Sequence, residues 1–367
     1  MTKMITLDDV TKRFGGSAEV AVRGLSMEID EGEIVVLVGP SGCGKTTTMK
    51  MINRLIEPTS GTITVAGSDV MRHDPVQLRR TIGYVIQNVG LMPHRTIEQN
   101  IATVPRLLNW KAERIRDRVR ELLDIFDLSD GLLDRYPSEL SGGQRQRVGV
   151  ARALAADPPV MLMDEPFGAV DPIIRARLQD QFLDIQRQLQ KTVVFVTHDI
   201  DEAIQMSDRI AILNQGAKIE QMAAPEEILR TPTNDFVRNF VGAERGLRRL
   251  GLIRIADIEV EEGPVVQSDA SVSEARAAME KFDFDWTTVL EGERLLGWID
   301  ASDLEVHDSV AKTQPRPFSA HVVANDSLRQ ALDSIVTSRT HIAVVVSDGD
   351  KYEGILTMAR ISREIIS

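Results

Sequence analysis

Ile34-Val35-Val36-Leu37-Val38-Gly39-Pro40-Ser41-Gly42-Cys43-Gly44-Lys45-Thr46-Thr47 runs an unalternated apolar stretch straight into the pattern G-x-x-x-x-G-K-[ST]. Five apolar residues with no polar alternation predict a strand covered on both faces, hence a parallel one, and so an α/β core. The glycines let backbone N–H groups crowd around phosphates, and the helix expected from Lys45 onward adds positive potential at its N-terminus. Lys45 is placed to hold β- and γ-phosphates, and the Thr46 hydroxyl a Mg²⁺. By itself the pattern says only that a nucleoside triphosphate binds.

Working outward, Val160-Met161-Leu162-Met163 predicts a second buried strand that ends in Asp164-Glu165. Two adjacent carboxylates at such an end suit two jobs: Asp164 can hold Mg²⁺ while Glu165 polarises the attacking water. In isolation the same string reads as a solvated acidic turn. The apolar runs at 193–197 and 209–213 predict further strands of the same sheet. Between the first two strands lies Leu140-Ser141-Gly142-Gly143-Gln144, opening a helix that carries Val148, Ala151 and Leu154. It offers bare backbone donors at a helix N-terminus, a natural phosphate ligand site, although Ser141 could simply be an N-cap. One nucleotide is already cradled by residues 39–47. The second set of donors is therefore expected to face the γ-phosphate held by another copy.

In this order these residues resemble the ATP-binding cassette family. The resemblance implies an α/β phosphate-loop ATPase core of RecA-like type with antiparallel β and helical subdomains, binding ATP and Mg²⁺ in a homodimer. It assigns Gln87 as a ligand of Mg²⁺ and of the attacking water, His198 as a grip on the γ-phosphate, and Asp171 to the dimer seam. It also places Phe14, in Lys12-Arg13-Phe14-Gly15-Gly16, where an aromatic stacks on adenine, and Thr47 where the α-phosphate is contacted. Taken singly, Phe14 reads as core, His198 as a strand end and Gln87 as a surface amide.

With 367 residues and 43% apolar content, two domains are expected. We read them as 1–245 and 246–367, with a helical subdomain over about 97–157. There Ile115, Val119, Leu122, Leu123 and Phe126 fall at helical spacing behind a charged, solvated face of Lys111, Glu113, Arg114, Arg116 and Arg118. Just before it, Leu91 and Met92 sit in a Gly/Pro-bounded turn. They read equally as a local buried turn and, by the resemblance, as the seat of a membrane subunit's coupling helix. Cys43 is the one cysteine, so no disulfide forms within the chain. No apolar run reaches the roughly 18 residues that a membrane helix needs. A net charge of −12 has the wrong sign for a nucleic-acid binder.

Residues 246–367 hold 13 Lys/Arg against 21 Asp/Glu, so −8 of the −12 lies there. This segment repeats itself: Ser271 and Ala275 pair with Ser327 and Ala331 at an offset of 56, and Gly297 with Gly354 at 57. The two copies, about 252–306 and 315–367, resemble tandem CBS modules. Asp300 and Asp303 in the first and Thr357 and Arg360 in the second each keep half of the ribose-binding pattern of such modules. A cassette followed by this pair resembles the ATPase subunit of osmoprotectant importers for glycine betaine, carnitine, choline or proline. That resemblance implies integral-membrane permease subunits, an extracytoplasmic solute-binding protein, and a place on the cytoplasmic face of the plasma membrane. Regulation at the pair is expected either through ionic strength or through a cyclic dinucleotide held by groups such as Arg339, Arg360 or Trp286. The pair also reads as a dimerisation module.

Overall fold

The computed structural model describes residues 2–15, 20–87, 90–168, 170–318 and 321–366. Gly16, Asn88, Val89 and Ala169, which stand in the strings around Phe14, Gln87 and Asp171, lie outside them. Two compact units divide after Val241, not after 245 as the charge step suggested. The reason is packing. The helix Arg245–Leu250 carries Leu250, fully buried, into a cluster with Ile255, Leu328, Ile335 and Ile361 of the second unit.

In the first unit a six-stranded sheet runs in the order Lys218–Ala223, Arg209–Asn214, Ile34–Val38, Thr192–Val196, Val160–Asp164, Ile82–Val85. All but the first of these strands are mutually parallel. The strands 34–38, 160–164 and 192–196 are buried at every residue, as their apolar runs require. Parallel pairing in register, Ile34 with Val193 and Val160 with Thr192, puts the C-terminal ends of these strands on one edge. Open α/β sheets bind ligands at that edge. A smaller antiparallel sheet orders Val20–Asp30, Lys3–Arg13, Ser60–Val65 and Ser68–Asp69. Its Ile5, Leu7 and Val10 share one apolar cluster with Val35, Leu37, Val194 and Val196. The helices Ile97–Ile101, Thr103–Leu107, Ala112–Ile125 and Gly142–Leu154 occupy the stretch whose periodicity had changed.

The second unit is one six-stranded sheet made of two similar halves. Each half has a short strand, a capped helix (Val272–Phe282 or Leu328–Thr337), a hairpin and a closing helix. Ser271 and Ser327, the residues first matched between the repeats, are the N-caps of the two helices, each in a capping box with Glu274 or Gln330. The halves meet in the sheet at a single paired position, Arg294 with Lys351. They also interlock. The segment at Arg316 bridges to Trp298 of the first half, and Glu261 bridges to Ile355 of the second. The glycines matched at an offset of 57 permit this: Gly297 and Gly354 have φ of 147° and 148°, and a Cβ would lie 2.3 Å from the Arg316 carbonyl and 2.7 Å from that of Glu261.

Candidate active site

The common strand edge gathers the phosphate loop, Asp164, Glu165, Gln87 and His198. The loop takes its shape from glycine: Gly44 sits at φ 114°, and a Cβ there would meet the Ala21 carbonyl at 2.6 Å. Ser41 and Gly42 are exposed at its tip, Thr47 is half-buried, and Cys43 is fully buried. Lys45 folds back on the loop, donating to the carbonyls of Gly39 at 2.7 Å and Pro40 at 3.0 Å, with the Cys43 Sγ 3.8 Å away.

Thr46 Oγ1 donates to Asp164 Oδ1 at 3.0 Å, so the two candidate cation ligands, 118 residues apart in sequence, already touch. Burial pushes the Asp164 carboxyl above its ordinary range, with Glu165 adding to the rise, while the Thr46 hydrogen bond, Lys50 and Lys45 oppose it. A buried, incompletely compensated carboxylate touching a hydroxyl fits a hard, oxygen-seeking cation such as Mg²⁺.

Glu165 is held from two sides. Gln87 Nε2 donates to its Oε2 at 2.9 Å, and His198 Nδ1 lies 3.2 Å from its Oε1. Its own N–H donates to the Val196 carbonyl at 2.9 Å. The backbone there is left-handed, with φ 44°, an uncommon state for a residue with a side chain. Three strand ends and one loop thus bring an acceptor carboxylate, an amide and an imidazole together next to the phosphate cradle. That set can orient and deprotonate a water facing a bound phosphate.

Ser141 to Gln144 stand apart from this group. Among the described residues no hydrogen bond or ion pair joins them to the phosphate loop, Gln87, Asp164, Glu165 or His198. Ser141 does cap its helix: its Oγ accepts from the Gln144 N–H at 3.3 Å, and Gln144 Oε1 accepts from the Ser141 N–H at 2.9 Å. The reciprocal pair leaves the Gly142 and Gly143 N–H groups with no acceptor among the described residues, with Gly142 on the surface. The N-cap reading of Ser141 therefore holds, with the Gly142 backbone exposed beside it. Asp171 Oδ1 accepts from the Ile173 N–H at 3.0 Å and starts the helix Pro172–Leu189. Phe14 is 42% exposed, which removes the core reading, and its ring lies 5.2 Å from Lys12 Nζ.

Some expectations change. Arg118 is not on the solvated face. Its guanidinium bonds the Leu154 carbonyl at 3.0 Å and pairs with Glu121, because the end of the helix Gly142–Leu154 packs there. Leu91 and Met92 are half-buried, and their turn is clamped by Asn100, fully buried. Asn100 accepts from the Met92 N–H at 2.7 Å and donates to the carbonyls of Met92, Arg95 and Thr96. Asn100 was passed over in the sequence, although it lies between the apolar residues Ile97 and Ile101 at helical spacing. Tyr84 was also passed over. Its hydroxyl is pushed up to about 12 by burial and by the charge of Asp164, which ends the neighbouring strand.

In the second unit the ribose-pattern positions are engaged internally. Asp303 accepts from the Asp300 N–H and from Arg316 at 2.8 Å each, Thr357 donates to Glu261 at 2.6 Å, and Arg360 pairs with Glu364 at 2.6 Å. Trp286, named for a ligand cleft, is instead 3% exposed, between the rings of Phe284 and Phe318. Its strand is buried on both faces. Arg339 remains exposed, near the Trp298 ring and 3.7 Å from Asp300.

Comparison with known proteins agrees with this geometry. The family model described as ABC transporter matches residues 22–168, and that described as CBS domain matches residues 315–367. The chain is 45% identical over 363 residues to the glycine betaine/carnitine/choline transport ATP-binding protein OpuCA of Bacillus subtilis (strain 168), covering 98% of this chain and 95% of that one. It is 47% identical over 358 residues to the osmoprotectant import ATP-binding protein OsmV of Salmonella typhimurium, covering 96% and 93%. A dimeric ATP-binding cassette solved in a post-hydrolysis state with ADP and Pi is similar to it with a TM-score of 0.54 and 34% identity, over 60% of this chain and 99% of that structure.

Proposed function

Because this chain belongs to the ATP-binding cassette transporter family, we propose that it is the ATP-hydrolysing subunit that powers uptake of a quaternary-amine compatible solute or proline through partner permease subunits. The observation that carries the ATPase half is the convergence of Thr46 on Asp164 and of Gln87 and His198 on Glu165. The cargo half is supported by near-full-length similarity to relatives named for glycine betaine, carnitine and choline. No helix among the described residues is long and apolar enough to cross a membrane.

In this reading Lys45 leaves the Gly39 and Pro40 carbonyls for the β- and γ-phosphates, while the loop N–H groups take the remaining oxygens. Phe14 stacks on the adenine and Thr47 meets the α-phosphate. Thr46, Asp164 and Gln87 would hold Mg²⁺, whose chemistry there is to neutralise charge on the β- and γ-phosphate oxygens. Glu165 takes the proton of the attacking water, Gln87 orients that water, and His198 releases Glu165 to hold the γ-phosphate. A second copy supplies Ser141, Gly142, Gly143 and Gln144 to the same phosphate, with Asp171 at the seam between the copies. The working unit is a homodimer on the cytoplasmic side of the permease, fed by an extracytoplasmic solute-binding protein.

The test is uptake in proteoliposomes that hold the chain, its permease and its binding protein. ATP inside the vesicles should drive accumulation of labelled glycine betaine or of a competing carnitine, choline or proline, and Lys45→Ala should lower it at least about 10²-fold. An assembled complex that hydrolyses ATP with no acceleration by any of these solutes would remove the cargo assignment and leave the ATPase standing.

A further inference from the structure

On the helix that follows His198 lies a carboxylate that the reaction described above does not use. Glu202, on the helix Ile200–Met206, is 8% exposed, and no cation lies within 4 Å of it among the described residues. It accepts from the Gln179 amide at 2.9 Å, and the Thr197 hydroxyl lies in the same turn. That hydroxyl accepts from the Asp199 N–H at 3.0 Å. Gln179 and Thr197 are themselves buried. Burial pushes the Glu202 carboxyl above its usual range and Asp199 adds to the rise; the Thr197 and Gln179 side chains and the field of Arg175 oppose it.

Packing and capping do not account for this residue. Asp199 already caps the helix, through the N–H groups of Asp201 and Glu202. A buried carboxylate costs more than an apolar side chain of the same size unless its position is used. What it joins is specific. Thr197 directly precedes His198. Gln179 and Arg175 lie on the helix that Asp171 begins, where Arg175 donates to the Val170 carbonyl at 3.1 Å and its N–H to the Asp171 carbonyl at 2.8 Å.

We propose that Glu202 is a positioning residue for ATP hydrolysis: it ties the turn presenting His198 to the helix begun by Asp171, so that both groups shift together when a second copy closes over the nucleotide. It touches no reacting atom and acts through Gln179 on one side and, on the other, through its own helix, whose cap Asp199 directly follows His198. This rests on the ATPase reading of the site.

The experiment compares Glu202→Gln, Gln179→Met and the double variant in the full chain, with turnover divided by the number of ATP sites titrated in each preparation. Glu202→Gln keeps the shape and replaces one of two acceptor oxygens by a donor; Gln179→Met keeps the size and removes the other partner. Each single change should leave ATP affinity and KM within about twofold and lower kcat per site about tenfold, and the double should lose little more than either single. A residue that only holds the fold would reduce the number of sites and the melting temperature with kcat per site unchanged, and that result overturns the proposal. So do losses that multiply in the double variant. If Glu202→Gln does not fold, Gln179→Met decides alone: wild-type turnover per site overturns the link through Gln179. Absence of turnover in the wild-type chain is a different result, and it overturns the ATPase reading itself.

Discussion

Glu165→Gln is expected to leave Mg²⁺·ATP binding intact and to lower hydrolysis about 10²–10⁴-fold, roughly 3–5 kcal/mol of barrier. Binding survives because the loop, Lys45 and the Thr46–Asp164 pair are untouched. Turnover falls because an amide cannot take a proton from water. Gln87 and His198, which meet the two carboxylate oxygens of Glu165, would share one remaining acceptor. With closure permitted and hydrolysis stopped, an ATP-bound dimer should accumulate. Gel filtration with and without ATP reads this directly. Near-wild-type turnover would remove Glu165 as the base. Lys45→Ala should behave oppositely, losing nucleotide binding itself.

Ser141→Arg is expected to abolish hydrolysis while the isolated subunit still binds ATP. No contact among the described residues links Ser141 to the chain's own phosphate loop, so bulk and charge at 141 should not disturb that cradle. The change would instead fill the surface in front of the exposed Gly142 N–H, where the proposed dimer would bring a second copy's γ-phosphate. Mixing Ser141→Arg with Lys45→Ala chains tests the sharing. One of the two composite sites in such a pair has an intact loop opposite an intact tetrad, and activity should reappear if the sites fire independently. Loss of ATP binding by the Ser141→Arg subunit alone would mean that the tetrad serves its own chain's site.

Contiguous strings carried most of the fold. The apolar runs 34–38, 160–163 and 193–197 needed no tertiary information, since burial on both faces leaves a mark on every residue. The phosphate loop was equally local, because glycine geometry and the Lys45–Thr46 pair lie within a few positions. The doubled second unit was readable from its caps and from Gly297 and Gly354, residues whose jobs are backbone jobs.

Side chains whose partners lie far off in sequence were harder. Arg118 follows Arg114 by one helical turn and looks like its neighbour on a charged face, yet its acceptor is the Leu154 carbonyl. Trp286 follows Asp283-Phe284-Asp285 and was named for a ligand cleft, yet its ring lies between Phe284 and Phe318. Asn100 and Glu202 are polar residues on buried faces, and a hydropathy pattern counts them as solvated. The common cause is that a burial pattern reports how apolar a face is. It cannot report which distant donor satisfies a buried polar group.

The left-handed backbone at Glu165 has a consequence for how this protein ages in a test tube. Holding a long side chain at φ 44° costs on the order of 1–3 kcal/mol relative to a residue that accepts that geometry freely. Glycine and asparagine are such residues, and either would relax the turn after the strand Val160–Asp164. A library selected only for survival on heating, with no demand for work, should therefore drift at position 165 toward those two. The sturdiest descendants of this chain would be idle ones, and a lineage that keeps glutamate there records that the turn was required to work.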